Sequence, residues 1–140
     1  MKLGIIRCMQ TEDYCPGTSD FKAIRKKSGA FADVEGDINL IGFTNCGGCP
    51  GKKAALRARE LVNRGVDTIA FASCIKKGVP IGFPCPHAEK MMELVQKEVG
   101  DRIKILDHTH SAADTAKPRS VRGLTHTATC RTLIREVEPP

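Results

Sequence analysis

The chain has 140 residues and a formal net charge of +6, with 41% hydrophobic and 27% charged residues, 7 Cys, 4 His, 1 Tyr and no Trp. That length suits one domain with a modest core, and the composition excludes disordered, fibrous and collagen-like chains. No apolar run approaches the roughly 20 residues of a membrane span, and the start, Met1 to Cys8, meets charge too early for a secretory signal.

In chain order, residues 2–7 read as a strand, and residues 19–28 as a helix that stops at Gly29. Residues 38–44 form a second strand, whose near-continuous apolar run Ile38-Asn39-Leu40-Ile41-Gly42-Phe43 suits a strand covered on both faces. The second helix spans about residues 51–64, with Ala54, Ala55, Ala58, Leu61 and Val62 on one stripe and Gly65 as its stop. A third strand over 68–72 precedes a helix over 86–99, striped by Ala88, Met91, Met92, Val95 and Val99 and ended by Gly100. Residues 103–106 supply a fourth strand. Strands alternating with helices predict the α/β class: an open, doubly wound parallel sheet of about four strands in the order 2-1-3-4. Helices cover both of its faces, giving three αβα layers. The domain is expected over residues 1–110, followed by a Thr-rich C-terminal tail over 111–140.

Up to residue 110 there are 17 Lys and Arg against 13 Asp and Glu, spread along helices with few aromatics between them. Nucleic-acid binders pair basic grooves with stacking platforms, so neither nucleic acid nor membrane is an expected partner. A cytoplasmic location is expected. There, a cysteine-rich domain points to metal ligation or thiol chemistry rather than to disulfides.

The cysteines fall in a pattern. Cys8, Cys46 and Cys74 follow the C-terminal ends of the first three predicted strands, and Cys15, Cys49 and Cys85 each precede a proline on the approach to a helix. In a parallel sheet these places share one rim, where the ligand sites of open α/β folds form. The last strand runs into Asp107-His108-Thr109-His110, and His87 follows Cys85-Pro86, so imidazoles reach the same rim. Helix N-termini there favour thiolates, which serves metal binding and nucleophilic attack alike. Cys46-Gly47-Gly48-Cys49 has the spacing of paired metal ligands and also of dithiol oxidoreductases.

The segment Phe43-Thr44-Asn45-Cys46-Gly47-Gly48-Cys49-Pro50-Gly51-Lys52 resembles the signature of the CGGC domain, a small prokaryotic family. Ile5-Ile6-Arg7-Cys8, Cys15-Pro16-Gly17, Phe21-Lys22-Ala23-Ile24, Gly29-Ala30-Phe31-Ala32, Ala72-Ser73-Cys74-Ile75 and Cys85-Pro86-His87 match its other marks, so the likeness covers residues 2–110. The resemblance implies a Cys- and His-rich protein that binds zinc. Family members end the fourth strand in Gly-Thr-His, which makes His110 the matching imidazole and His108 an addition. The tail, with His126 and Cys130, lies beyond the likeness.

Three functions remain open on these residues. The first is a metal-binding rim, with zinc or an iron–sulfur cluster held by Cys8, Cys46, Cys49 and Cys74, and with Cys85, His87 and His110 as further ligands. The second is a thiol-dependent oxidoreductase with Cys46 as nucleophile and Cys49 as resolving thiol. The third is a metal carrier or sensor without catalysis.

Overall fold

A computed structural model describes residues 1–111. Its elements in order are β1 (Lys2–Arg7), α1 (Thr18–Lys26), β2 (Asn39–Asn45), α2 (Lys52–Asn63), β3 (Thr68–Phe71), α3 (Ser73–Lys76), α4 (Ala88–Val99) and β4 (Lys104–Leu106). Single 3-10 turns at Met9–Thr11 and Gly29–Phe31 follow β1 and α1. The four strands form one sheet in the order β2-β1-β3-β4, and every pairing is parallel. This is the order that short right-handed crossovers dictate.

Burial follows from that order. The central strands carry the core: Leu3, Ile5 and Ile6 of β1 and Ile69 and Phe71 of β3 are sealed from solvent, with Phe31, Ile75, Met91 and Val95 packed around them. The apolar run in β2 has a different setting from the doubly covered strand predicted. As an edge strand it leaves Leu40 37% and Ile41 43% exposed. An apolar run alone cannot separate a central strand from an apolar edge.

The two faces are covered by different helices. Along a strand, successive side chains point to opposite faces. On one face, Leu61 of α2 lies over Gly4 and Gly42; a Cβ on Gly4 would come 2.9 Å from Leu61 Cδ1, so glycine is what lets the helix settle there. α4 packs beside α2 on that side, with Met91 against Gly51. On the other face, Phe43 of β2, adjacent to Gly42, meets Phe21 of α1 with ring centroids 5.3 Å apart. The layers are α, β, α.

Helix ends differ from expectation in instructive ways. α1 stops before Gly29, with Lys27 at φ 48 closing it, because Ser28 N–H returns to the Ala23 carbonyl at 3.0 Å. α3 went unseen in the sequence, since four residues offer no helical period. The expectations for residues 112–140, including His126 and Cys130, lie outside the described residues.

Candidate thiolate site

Cys8 is the residue after β1 and Cys46 the residue after β2. The last register pair of these strands is Arg7 with Asn45, and the Cys46 N–H donates to the Arg7 carbonyl at 2.8 Å. The ladder thus continues one step past the strand ends. Neighbouring strands lie about 4.8 Å apart, so the backbone itself sets Cys8 and Cys46 side by side. Both are nearly closed to solvent, at 3% and 4% exposure.

Their sulfurs are hydrogen-bonded to each other. The charge belongs on Cys46, because the amides of Met9 and Gly48 also point at that sulfur. The Cys8 hydrogen bond, helped by those amides and opposed by burial, holds the Cys46 thiol down to about 5. Cys8 is pushed well up by the same hydrogen bond, in which it is the donor, and then by burial and by the nearby Cys74. A thiolate fixed by backbone N–H groups and one S–H donor is a preformed nucleophile and a preformed soft ligand.

The other thiols surround this pair. Cys74, in α3, receives the Cys8 N–H at 3.3 Å; burial pushes its thiol up to about 11, against hydrogen bonds from Thr11 and Cys8. Cys15 is half-buried and raised by burial, with the Gly17 amide opposing. Cys85 is buried and raised, first by desolvation and then by Cys49 and Cys46, while the His87 N–H opposes. Cys49 is exposed. Cys8, Cys46 and Cys74 thus follow the C-terminal ends of three neighbouring parallel strands.

His87 is the N-cap residue of α4. His110 is buried, with Nδ1 against the Ser111 carbonyl at 2.9 Å and Nε2 3.8 Å from Asp20 Oδ1. The Ser73 hydroxyl fixes it from behind, donating to the His110 carbonyl at 2.7 Å and accepting its N–H at 3.1 Å. Thr109 bonds the same Asp20 carboxylate. Burial raises Asp20, against Thr109, His110 and Arg7. Among the described residues, no three or more His, Cys, Asp or Glu side chains are grouped as a metal ion requires.

Sequence reasoning passed over the groups that frame the pair. The Met9 amide carries no side-chain signal. Asn45 did offer one: Asn before a Gly-Gly turn caps its own loop, and its Oδ1 accepts the Gly47 N–H at 2.8 Å. Glu12 pairs with Arg7 and accepts from Asn45.

The sequence profile of the CGGC domain matches residues 2–110, which includes every residue of this rim. The chain belongs to the CGGC domain family. An uncharacterized protein of Methanocaldococcus jannaschii is 44% identical over 80 residues, covering 53% of this chain and 62% of that protein. The present chain thus spans less than two thirds of that relative. No solved structure matches it. Among the described residues no helix is long and apolar enough to cross a membrane.

Proposed function

We propose that this CGGC protein is a thiol-redox protein in which Cys46 attacks as thiolate and Cys8 resolves. The observation behind this reading is the Cys46 sulfur held against the Cys8 thiol with backbone N–H groups aimed at it. The Cys46 sulfur attacks one sulfur of a substrate disulfide; a Cys46–substrate bond forms, the substrate S–S bond breaks, and the other half leaves as a thiolate that takes up the Cys8 proton. Cys8 then attacks the Cys46 sulfur, forming the Cys8–Cys46 disulfide and releasing the second substrate thiol. Two electrons pass to the substrate, and an external dithiol returns them. Adjacent strand ends, about 4.8 Å apart, fall within the roughly 4.4–6.8 Å between Cα atoms that a disulfide spans. With Cys46 only 4% exposed, the substrate is a slender, low-molecular-weight disulfide. The free cysteines among the described residues suit a reducing compartment, the cytoplasm.

Turnover of such a disulfide with a dithiol reductant tests this. Cys46→Ser abolishes it, Cys8→Ser traps a mixed disulfide on Cys46, and Cys49→Ser leaves turnover intact. Trapping in Cys49→Ser instead would return the role of resolving thiol to the Cys46/Cys49 pair. Full turnover without Cys46 ends the redox reading.

A second reading, zinc binding, is favoured by the soft donors around the pair: Cys74 at the Cys8 amide, and Cys85 within electrostatic reach of Cys46 and Cys49. Thiolates suit zinc, and Cys46 with Cys8 would be its first ligands, completed from Cys74, Cys85, Cys49, His87 or His110. The donor types fit zinc or an iron–sulfur cluster, although the described arrangement groups the pair more closely than any larger set. Metal content and visible spectrum after anaerobic purification separate these cases. Less than about a tenth of an equivalent, with all thiols free, excludes the metal, carrier and sensor readings together.

A further inference from the structure

A cavity of about 200 Å³ lies between α1 and the chain that leaves β4. Ser19, Lys22, Ala23 and Lys26 line it from α1, three or four residues apart and therefore on one helical face. Ser28 follows the helix, and His110 lines the cavity from the segment after β4. The small Ala23 side chain leaves the space that a longer residue at that point of the helix would fill.

The walls are tied together by backbone hydrogen bonds. The Ser28 N–H donates to the Ala23 carbonyl at 3.0 Å, which folds the end of α1 back beside the cavity. The Ala30 N–H donates to the Thr109 carbonyl at 3.0 Å and fastens that end to the segment bearing His110. His110 is 4% exposed, and the Ser73 hydroxyl holds both its carbonyl and its N–H. Segments far apart in sequence thus build one concavity.

Its lining favours one sign of charge. Two ammonium groups, two hydroxyls and an imidazole surround it, and among the described residues no acidic side chain lines it. Asp20, the acid of α1, is buried and bonded by Thr109 rather than by either lysine. Like charges four residues apart on a helix oppose each other, and an anion seated between Lys22 and Lys26 removes that repulsion. Two charges with separate hydroxyl donors suit a dianion of several oxygens better than a carboxylate with two. The volume is below the roughly 300–1,000 Å³ of pockets that enclose whole drug-sized ligands, so it suits a small ion or the terminal group of a longer molecule.

We propose that this cavity binds a phosphate group, with Lys22 and Lys26 as its charge partners and Ser19 and Ser28 as hydroxyl donors. The group is that of free inorganic phosphate or of a phosphomonoester whose remainder stays outside. The site stands whether Cys46 serves redox chemistry or a metal.

The test is an NMR titration of reduced full-length protein at constant ionic strength, with inorganic phosphate, glycerol phosphate and acetate as probes. Phosphate should give saturable shifts concentrated in residues 19–28 and at His110, and acetate should bind more weakly. The Lys22→Gln and Lys26→Gln substitutions should each weaken phosphate binding by about fivefold. An Arg25→Gln, Lys27→Gln double variant removes two charges from the same helix end without touching the lining, and should change binding by less than about twofold. All four positions are exposed, so these substitutions leave the core intact. Tighter binding of glycerol phosphate than of phosphate supports the proposal and assigns a phosphomonoester, and the reverse order supports it with the free ion. The proposal is overturned by the absence of a saturable shift at these residues with either phosphate probe, by acetate binding as tightly as phosphate, or by equal weakening in the Arg25→Gln, Lys27→Gln and Lys22→Gln, Lys26→Gln double variants.

Discussion

Replacing Cys8 by Ala isolates the contribution of one S–H donor to the acidity of Cys46. A hydrogen bond to a charged group contributes about 1.5–3 kcal/mol, and one pKa unit corresponds to about 1.36 kcal/mol. From about 5 in the native site, the Cys46 midpoint should therefore rise to roughly 6–7 in Cys8→Ala. The Met9 and Gly48 amides remain and keep it below an ordinary thiol. Cys8→Ser supplies a hydroxyl donor in the same place and should stay near the wild-type value. The assay is alkylation of Cys46 across pH, read at the midpoint rather than as an absolute rate, because a more basic thiolate is also intrinsically more nucleophilic. An unmoved midpoint in Cys8→Ala would show that the thiolate does not depend on Cys8. A Cys8→Ser midpoint as high as that of Cys8→Ala would refute the hydrogen bond as the cause.

Mild oxidation should give a Cys8–Cys46 disulfide in wild type and in Cys49→Ser, identified by peptide mapping; a dominant Cys46–Cys49 bridge would contradict the register argument. Added zinc should slow that oxidation if the metal takes the same pair, and should leave the rate unchanged if it binds elsewhere. The buried Cys74 thiol, raised from 9.0 to about 11, makes its full contribution to stability below pH 9 and loses it as pH rises through 11. Reduced protein should therefore lose thermal stability over that window, and Cys74→Ala should lose less. Gly29→Ala should cost about 2 kcal/mol or more in denaturant unfolding, because the new Cβ meets the Thr109 carbonyl and lies 2.9 Å from His110 Cα at a φ of +58. A change below about 0.5 kcal/mol would mean that the loop gives way freely.

Sheet order was legible because it follows from periodicity and chain handedness. Apolar runs before Cys8, Cys46 and Cys74 marked strands, and a parallel sheet sends every strand end to one side. The cross-strand neighbour was not legible. Cys46 and Cys49 are close in sequence and draw the eye to a CxxC pair, while the register of two strands also sets Cys8, 38 residues away, beside Cys46. Only the register Arg7 with Asn45 reveals that second neighbour. His110 illustrates the same limit. Its place after β4 put it on the rim, but the Ser73 hydroxyl and the Asp20 carboxylate set the direction in which its ring faces.

Redox and metal readings make different demands on one arrangement. A disulfide needs only two sulfurs, and the β1–β2 ladder supplies those two in a geometry that the core holds fixed. A tetrahedral zinc site needs four ligands, so at least two more must come from α3, the approach to α4 or the loop bearing Cys49. Those donors differ in what it costs to use them. Cys74 is buried and held neutral, so ligation must first remove a proton that burial retains. Cys85 is also raised, partly by the charges of Cys49 and Cys46, and a bound cation would cancel that repulsion. Metal binding is therefore strengthened by the same thiolates that oppose one another in its absence, whereas disulfide chemistry uses the Cys8–Cys46 pair as it stands. The arrangement of the ladder favours the pair, and any metal role must recruit its remaining ligands against the burial of Cys74 or through the mutual repulsion at Cys85.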